Sequence, residues 1–233
     1  MKKFLSNAFE NEKTKTYHRV SNFLALLTIV SIVSLVLETV PSLVQHARIF
    51  FIIEWAAVVF FGAEYIGRLI VSKPMWKYSV SFFGLVDLVS ILPTLLGLGN
   101  LTFLKSARAL RIVRLLRMLR LIKVARPRGK ISEMSVATLN IFIYFSVLLT
   151  ALLMTGTAMY LVEPSLPEFA SIPSGMWWSF KVFLASMTVA QPETALGEAF
   201  HVLTRFVGLL LLGLLVGVVG NIFKAALLSD GKK

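Results

Sequence analysis

Basic side chains recur at every third position between residues 105 and 126. The ladder consists of Lys105, Arg108, Arg111, Arg114, Arg117, Arg120, Lys123 and Arg126, and the positions between Arg108 and Arg126 are apolar. On an α-helix, this spacing winds a stripe of cations about 30 Å long, close to the thickness of a bilayer core. Charges within a bilayer can respond to its field, since moving one across about 100 mV is worth about 2.3 kcal/mol. A helix lying on an anionic lipid surface is the alternative, but such helices mix three- and four-residue spacings over a broad polar face.

A buried stripe of cations needs acidic partners inside the protein. Glu54 and Glu64 lie in the second apolar segment, ten residues and thus about 15 Å apart on a helix. Asp87 lies in the third segment, and Phe61 is one helical turn from Glu64, where its ring could separate water on the two sides. These acids could receive moving charges at two depths, or they could merely neutralise fixed arginines.

These residues resemble those of the six-span voltage-gated cation channel superfamily, particularly its prokaryotic potassium-channel-like members, over about residues 18–228. The resemblance is carried by Glu54, by Phe61, Glu64 and Arg68 in FFGAEYIGRL, by Asp87 and Pro93 in VDLVSILP, and by the basic ladder. It implies that Phe61, Glu64 and Asp87 form a charge-transfer centre, through which the basic side chains of the fourth span pass one at a time.

The composition is that of a membrane protein. Hydrophobic residues make up 57% of the chain and charged residues only 15%, against about 25% charged in soluble domains. Apolar runs predict transmembrane helices at about 21–40, 49–71, 80–97, 102–125, 138–162 and 199–228, with a shorter re-entrant helix at 173–187. We therefore expect an all-α membrane protein, with a four-helix voltage-sensor bundle and a two-helix pore module that assembles as a tetramer.

The polar stretch after the ladder divides the chain. We predict a cytoplasmic N-terminal segment (1–17), a voltage-sensor domain (18–126), a linker (127–138), a pore domain (139–228) and a cytoplasmic tail (229–233). Lys and Arg are concentrated on the side that holds both termini, which predicts that both termini are cytoplasmic in a multi-pass protein of a cell membrane, of prokaryotic type. The net charge of +12 comes mainly from the ladder and the flanks of the spans, so no nucleic-acid partner is expected.

The segment before the last span occupies the place of a selectivity filter but departs from the pattern of potassium channels. Where those channels carry Thr-Val-Gly-Tyr-Gly-Asp, this chain has Thr188, Val189, Ala190, Gln191, Pro192 and Glu193. Alanine resists the positive φ that glycine adopts readily, and proline cannot reach it, so the usual stack of inward carbonyls is not expected. Four copies of Glu193 would instead form a carboxylate ring, which attracts cations.

Three glycines of the last span are candidates for a gate. Gly208 lies where the family often has a flexible glycine, and Gly213 and Gly217 form a small-xxx-small pair. Such a pair serves equally well for a hinge or for close helix packing, so both interpretations stay open.

The sequence thus predicts a subunit of a voltage-gated cation channel that passes monovalent cations, with relaxed selectivity or sodium permeability. Its expected partners are identical subunits in a homotetramer, membrane lipids and the permeant cations. A voltage sensor that itself conducts protons, or a non-conducting regulatory subunit, is the alternative. We expect no enzyme, cofactor or metal site, because no nucleophile–base pair or metal-ligand cluster is evident and the chain lacks cysteine.

Overall fold

The computed structural model describes residues 14–72, 74–96, 114, 117, 120 and 136–230. The chain forms two compact units, one within Met1–Arg126 and one within Pro127–Lys233. Helices of the first unit are α1 (Lys15–Glu38), α2 (Ala47–Val71), the short α3 (Met75–Ser79) and α4 (Phe82–Leu96), with a 3₁₀ helix at Pro41–His46. The second unit contains α5 (Val136–Val162), a 3₁₀ turn at Pro167–Phe169, α6 (Ile172–Phe183) and α7 (Ala195–Asp230).

Local polar side chains set several helix boundaries. The hydroxyl of Thr14 accepts a hydrogen bond from the backbone N–H of Tyr17 and caps the start of α1. Ser81 similarly accepts from Gly84 at 3.1 Å, so α4 begins at Phe82. The hydroxyl of Ser171 caps α6 by accepting from the N–H of Ser174 at 3.3 Å.

The first unit buries polar side chains beside a small apolar core and exposes large apolar side chains. Its apolar core consists of Ala57, Val58, Phe61 and Ile91, packed against α1 residues Leu24 and Leu27. Buried polar side chains adjoin this core, whereas large apolar side chains are exposed; the latter include Phe23, Leu26, Val33, Phe51, Ile52 and Val59. A patch of this kind on a soluble domain would be a liability, but it suits a bundle surrounded by lipid.

The second unit packs α6 between α5 and α7. Its core cluster contains Met159, Phe169, Trp178, Val182 and Val189. Two glycines allow α5 and α6 to approach closely. A Cβ at Gly156 would lie only 2.5 Å from the backbone nitrogen of Met176, and one at Gly175 would overlap the carbonyl oxygen of Gly156.

Among the residues that the structure describes, four helical segments are long and apolar enough to cross a membrane: Lys15–Glu38, Pro41–Val71, Thr138–Val162 and Ala195–Lys224. They coincide with the first, second, fifth and last of the predicted spans. The third predicted span, 80–97, is α4, which has 15 residues. The fourth, 102–125, lies outside the described residues except at Arg114, Arg117 and Arg120.

The predicted re-entrant helix is shorter than its apolar sequence suggests. Helix α6 ends at Phe183 rather than residue 187, because Ala185 takes a left-handed conformation with φ 56°. The backbone N–H of Ser186 then donates to the carbonyl of Lys181 at 3.0 Å, and that of Ala185 donates to Val182 at 3.0 Å. This pair of bonds is the Schellman motif that closes a helix C-terminus.

Candidate functional site

Three members of the basic ladder are described: Arg114, Arg117 and Arg120. Arg117 is 1% exposed and Arg120 is 3% exposed, so two guanidinium groups are enclosed by the first unit. The other predicted members, Lys105, Arg108, Arg111, Lys123 and Arg126, lie outside the described residues. An enclosed permanent cation is costly unless acids and polar groups surround it.

Arg117 is held by a hydrogen-bonded acidic site at Glu54. Its Nη1 donates to Oε2 of Glu54 at 2.5 Å, and its Nη2 donates to Oε1 of the same carboxylate. The remaining donors reach α4: Nε donates to the carbonyl of Ser90 at 3.1 Å, and Nη2 also to the hydroxyl of Thr94 at 3.1 Å. Thr94 in turn donates to Glu54. A two-oxygen pair of this type is among the strongest in proteins.

Arg114 lies more loosely above this pair. Its Nη1 is 3.8 Å from the Glu38 carboxylate, and its Nε is 3.9 Å from Oε1 of Glu54. Glu38 is the last residue of α1, so this acid comes from the C-terminal end of that helix.

Arg120 occupies a second acidic site. Its Nη2 lies 3.4 Å from Oε2 of Glu64 and 3.0 Å from Oδ1 of Asp87. Its Cζ lies 3.8 Å from the centroid of the fully buried Phe61 ring, which is within the range of a cation–π contact. The structure therefore brings Phe61, Glu64 and Asp87 together around one ladder residue.

The two acidic sites differ in how they hold their arginines. Arg117 makes hydrogen bonds to Glu54, whereas Nε, Nη1 and Nη2 of Arg120 make no hydrogen bond to any described residue and are held by ion pairs and the ring. Glu64 is also shared with Arg68, whose Nε donates to its Oε1 at 2.9 Å, as the four-residue spacing predicts. Arg120 is thus the less tightly held of the two enclosed arginines.

Three polar residues of this site were missed by sequence reasoning. Ser90 and Thr94 follow Asp87 at three and seven positions, so helical spacing alone could have placed them on its face. Tyr78, on α3, donates its hydroxyl to Oδ2 of Asp87 at 2.5 Å. Burial, and then the neighbouring Asp87 carboxylate, raise the pKa of Tyr78, so the hydroxyl keeps its proton and acts as a donor. No sequence pattern points to this contact.

The predicted filter segment lies between α6 and α7. Val189 is buried in the core cluster, and the carbonyl of Ala190 accepts a hydrogen bond from the Trp178 indole at 2.9 Å. The remaining members lie nearer the surface: Thr188, Gln191 and Glu193 are exposed, and Pro192 is half-buried. Among residues 188–193, every one of which is described, no backbone φ is positive.

A buried carboxylate that the sequence analysis did not single out anchors this segment. Glu163, just beyond the α5 span, accepts hydrogen bonds from the backbone N–H of Thr194 at 2.8 Å and from its hydroxyl at 2.7 Å. Burial alone would raise the pKa of Glu163, but these hydrogen bonds outweigh it and lower the pKa below its usual range. Gly197 makes room for the carboxylate, since a Cβ there would overlap Oε1 of Glu163.

The three candidate gate glycines differ in their surroundings. A Cβ at Gly208 would lie 2.8 Å from the Cα of Phe183 at the end of α6. At Gly213 and Gly217 a Cβ would meet nothing within 4 Å. Gly208 is therefore a close contact between α6 and α7, while the other two face open space in a single subunit.

No group of three or more His, Cys, Asp or Glu residues suited to a metal ion occurs in the part of the chain that the structure describes. The first unit instead contains a row of cations and acids on either side of an aromatic ring. An arrangement of this kind can exchange one cation for the next.

Comparison with known proteins agrees with this arrangement. The family model described as "ion transport protein" matches residues 17–227. A protein of Rhodopseudomonas palustris, provisionally named a potassium channel protein, is 28% identical over 228 residues, covering 88% of this chain and 53% of that protein. The potassium voltage-gated channel protein Shal of Drosophila melanogaster is 29% identical over 251 residues, covering 96% of this chain and 43% of Shal.

A human A-type voltage-gated potassium channel is 28% identical over 245 residues, covering 93% of this chain. The chain spans 36% of the length of that channel, so it matches about half or less of each of these relatives.

Proposed function

Because this chain belongs to the ion transport protein family and to the voltage-gated cation channel superfamily, we propose that it is one subunit of a homotetrameric, voltage-gated channel for monovalent cations. The observation that carries the proposal is the placement of Arg117 at Glu54 and Arg120 at Glu64 and Asp87, with the Phe61 ring beside Arg120. Two enclosed cations in successive acidic sites are what a charge-moving helix requires.

The ladder spacing gives the size of one step. Moving the helix by three residues, about 4.5 Å, replaces one basic side chain at Phe61 by the next. Each unit charge that crosses the full field contributes about 2.3 kcal/mol per 100 mV, so a few charges in each of four subunits provide tens of kcal/mol. That energy is sufficient to drive the opening of a pore.

The order of the contacts along the basic ladder indicates which position of the voltage sensor the structure represents. Three ladder positions, Lys105, Arg108 and Arg111, precede Arg114, and only Lys123 and Arg126 follow Arg120. With Arg120 at the inner site, the preceding described ladder residues Arg117 and Arg114 lie at Glu54 and near Glu38. In the proposed orientation, with both termini in the cytoplasm, this is the outward position reached on depolarisation. The linker at 127–138 would then transmit the motion to α7.

The pore is proposed to form from four copies of α5, α6 and α7. Both long helices expose extended apolar faces, including Phe142, Phe145 and Leu149 on α5 and Leu209, Leu210 and Val216 on α7. Lipid and identical subunits are the partners that suit such faces. The open space at Gly213 and Gly217 would admit a neighbouring helix at close range.

Cation selectivity is proposed to come from Glu193 rather than from a carbonyl stack. A filter of inward carbonyls of the usual kind needs positive φ, which residues 188–193 do not adopt. The exposed Glu193 carboxylates of four subunits would form a ring that attracts cations but discriminates poorly between sodium and potassium. We therefore expect the pore to discriminate only weakly among monovalent cations.

Planar-bilayer recording of the purified full chain tests this function. Voltage steps in symmetric potassium should give currents whose open probability depends on voltage, and a sodium–potassium gradient should give a reversal potential near zero. Glu193→Gln should reduce the current, whereas Glu198→Gln, a second exposed acid five positions along, should reduce it less. Currents that follow only the proton gradient would mean that the sensor conducts protons. Sensor charge movement without ionic current would mean a non-conducting subunit, and strong potassium selectivity would contradict the carboxylate ring.

A further inference from the structure

Arg205 is an exposed arginine on α7, outside both the basic ladder and the filter segment. Its Nε donates a hydrogen bond to Nε2 of His201 at 3.1 Å. Its two Nη groups make no hydrogen bond or ion pair to any residue that the structure describes. These nitrogens present the donors of a permanent cation to the surroundings of the second unit, so a negatively charged partner from outside the subunit suits them.

The sequence of α7 sets the depth of this guanidinium in a membrane. Arg205 and Lys224 bracket residues 206–223, which contain no charged residue. These 18 residues span about 27 Å of helix, close to the hydrocarbon thickness of about 30 Å. When α7 crosses a membrane, Arg205 and Lys224 therefore lie at the two boundaries of the hydrocarbon core, which is the level of the lipid headgroups.

The helix surface around Arg205 is apolar. Val202, Phe206 and Leu209 are all exposed on the same side of α7. Glu198 is exposed as well, but it lies two turns, or about 10 Å, nearer the start of the helix and forms no ion pair with Arg205. An isolated cation above an apolar strip suits a molecule with an anionic head and a hydrocarbon tail.

His201 holds the guanidinium in place. It is 6% exposed, and its ring lies 5.2 Å from that of the buried Trp178 on α6. Because His201 Nε2 accepts the Nε–H of Arg205, the guanidinium is anchored at Nε and both Nη groups remain for a ligand. Two such groups bind two phosphate oxygens in parallel. A guanidinium that is already oriented loses less conformational freedom when it binds.

We propose that Arg205, positioned by His201, binds the phosphate of an anionic phospholipid on the second unit, with the acyl chains along Val202, Phe206 and Leu209. A lipid with net negative charge is preferred over a zwitterionic one, since a choline group would bring a positive charge close to Arg205. The proposal requires that α7 crosses a membrane, and it does not depend on ion conduction.

Lipid titration of the purified, delipidated full chain, followed by native mass spectrometry, tests the site. Arg205→Gln should weaken the binding of phosphatidylglycerol by about tenfold, since two charge-assisted hydrogen bonds are lost. Arg205→Lys keeps the charge without the fork and should weaken binding by about threefold. Phosphatidylcholine should bind the native chain and Arg205→Gln equally. Arg48→Gln is the matched control: it removes an exposed arginine from the first turn of α2 and should change the affinity by less than about twofold.

Substitution of His201 separates positioning from charge. His201→Leu removes the acceptor of the Nε–H bond and leaves the charge at Arg205, so the affinity for phosphatidylglycerol should fall by about threefold. His201→Gln keeps an acceptor and should restore most of the affinity. In the Arg205→Gln background, His201→Leu should have no further effect. Equal affinity of the native chain and His201→Leu would overturn the positioning role.

Other partners for Arg205 give different results. If Arg205→Gln lowered the fraction of tetramer in native gels and left lipid binding unchanged, a carboxylate of a neighbouring subunit would be the partner and the lipid site would be wrong. Displacement of phosphatidylglycerol by an equal concentration of inorganic phosphate would indicate a site for free anions, and would also overturn the proposal. Lipid binding as expected in a chain that carries no current would contradict the proposed function alone.

Discussion

Arg117 and Glu54 form a hydrogen-bonded ion pair in the interior of the first unit, with the guanidinium 1% exposed. Removing the Glu54 carboxylate would take the hydrogen-bonded acid away from the buried Arg117, and removing Arg117 would leave Glu54 with only the looser Arg114, at 3.9 Å. The pair therefore joins α2 and α4 to a residue of the basic ladder, since Arg117 contacts Glu54 on α2 and Ser90 and Thr94 on α4.

Removing either charge should destabilise the first unit. Glu54→Gln should lower the free energy of unfolding by about 3–5 kcal/mol, since it removes the acid that hydrogen-bonds the buried Arg117. Arg117→Gln should cost somewhat less, because Arg114 stays 3.9 Å from Glu54. The double variant should lose much less than the sum, because two neutral amides can bond to each other and to Thr94. Thermal unfolding in detergent measures this cycle, with the exposed Arg48→Gln as the control. Additive losses would mean that the two residues do not interact.

The double variant should affect voltage dependence and stability differently. In the double variant, Glu54→Gln with Arg117→Gln, stability recovers but the moving charge at 117 is still lost. The steepness of the charge–voltage relation should therefore fall, by up to about one elementary charge per subunit. Lys224→Gln, in α7, removes a charge of the same sign outside the ladder and should leave the steepness unchanged. An unaltered slope in the double variant would exclude Arg117 as a gating charge.

Much of this arrangement was accessible from sequence because it rests on local periodicity. The apolar runs predicted α2, α5 and α7 to within about four residues and α1 to within about six, and the three-residue ladder indicated which acids would be needed. Tyr78 and Glu163 could not be found in this way. Tyr78 reaches Asp87 across a helix boundary, and Glu163 reaches Thr194 across 31 residues, so both contacts depend on tertiary approach. The end of α6 was misplaced because apolar periodicity continues past Ala185, where the backbone turns.

The buried carboxylate of Glu163 should make the second unit sensitive to acid. Its folded-state pKa is depressed below the ordinary value of 4.5. The stabilisation is therefore complete above about pH 4.5, and it is lost as the pH falls through the lower, folded-state value. Glu163→Gln should destabilise the unit by about 1–3 kcal/mol at neutral pH and remove this part of the acid dependence. Tryptophan fluorescence during heating, from pH 7 to about pH 3, follows the change.

The exposed Glu168→Gln is the matched control for that experiment. Glu168 lies exposed in the 3₁₀ turn that follows α5, and it makes no hydrogen bond or ion pair to a described residue. The variant should behave like the native chain at every pH. If Glu163→Gln retained the full acid dependence, another carboxylate would have to be responsible for it.

The candidate gate glycines should separate packing from hinge behaviour. Gly208→Ala places a methyl group 2.8 Å from the Cα of Phe183, so α7 must shift, and the second unit should lose about 1–3 kcal/mol. Gly213→Ala meets nothing within 4 Å in the subunit, and alanine is the better helix former by about 1 kcal/mol. It should keep or raise the stability of the subunit.

If Gly213 is a hinge, its substitution should change channel opening but not stability. Gly213→Ala would then shift the open probability while thermal stability stays normal. If Gly213 instead packs against a neighbouring subunit, the variant should reduce the fraction of tetramer in native gels. Gly217→Ala provides a second position on the same open face, and concordant results at both would decide between the two roles.

Ala185, just after the end of α6, is a position where a substitution should increase stability. Its φ of 56° costs an L-residue about 1–2 kcal/mol relative to glycine, which adopts this region freely. Part of that gain is offset by the greater freedom of glycine in the unfolded chain. Ala185→Gly should therefore stabilise the second unit by about 0.5–1 kcal/mol and raise its melting temperature. Ala170→Gly is the matched control, because Ala170 has φ −63° and can only lose by the exchange. A loss at both positions would show that the methyl of Ala185 contributes packing that outweighs its backbone strain.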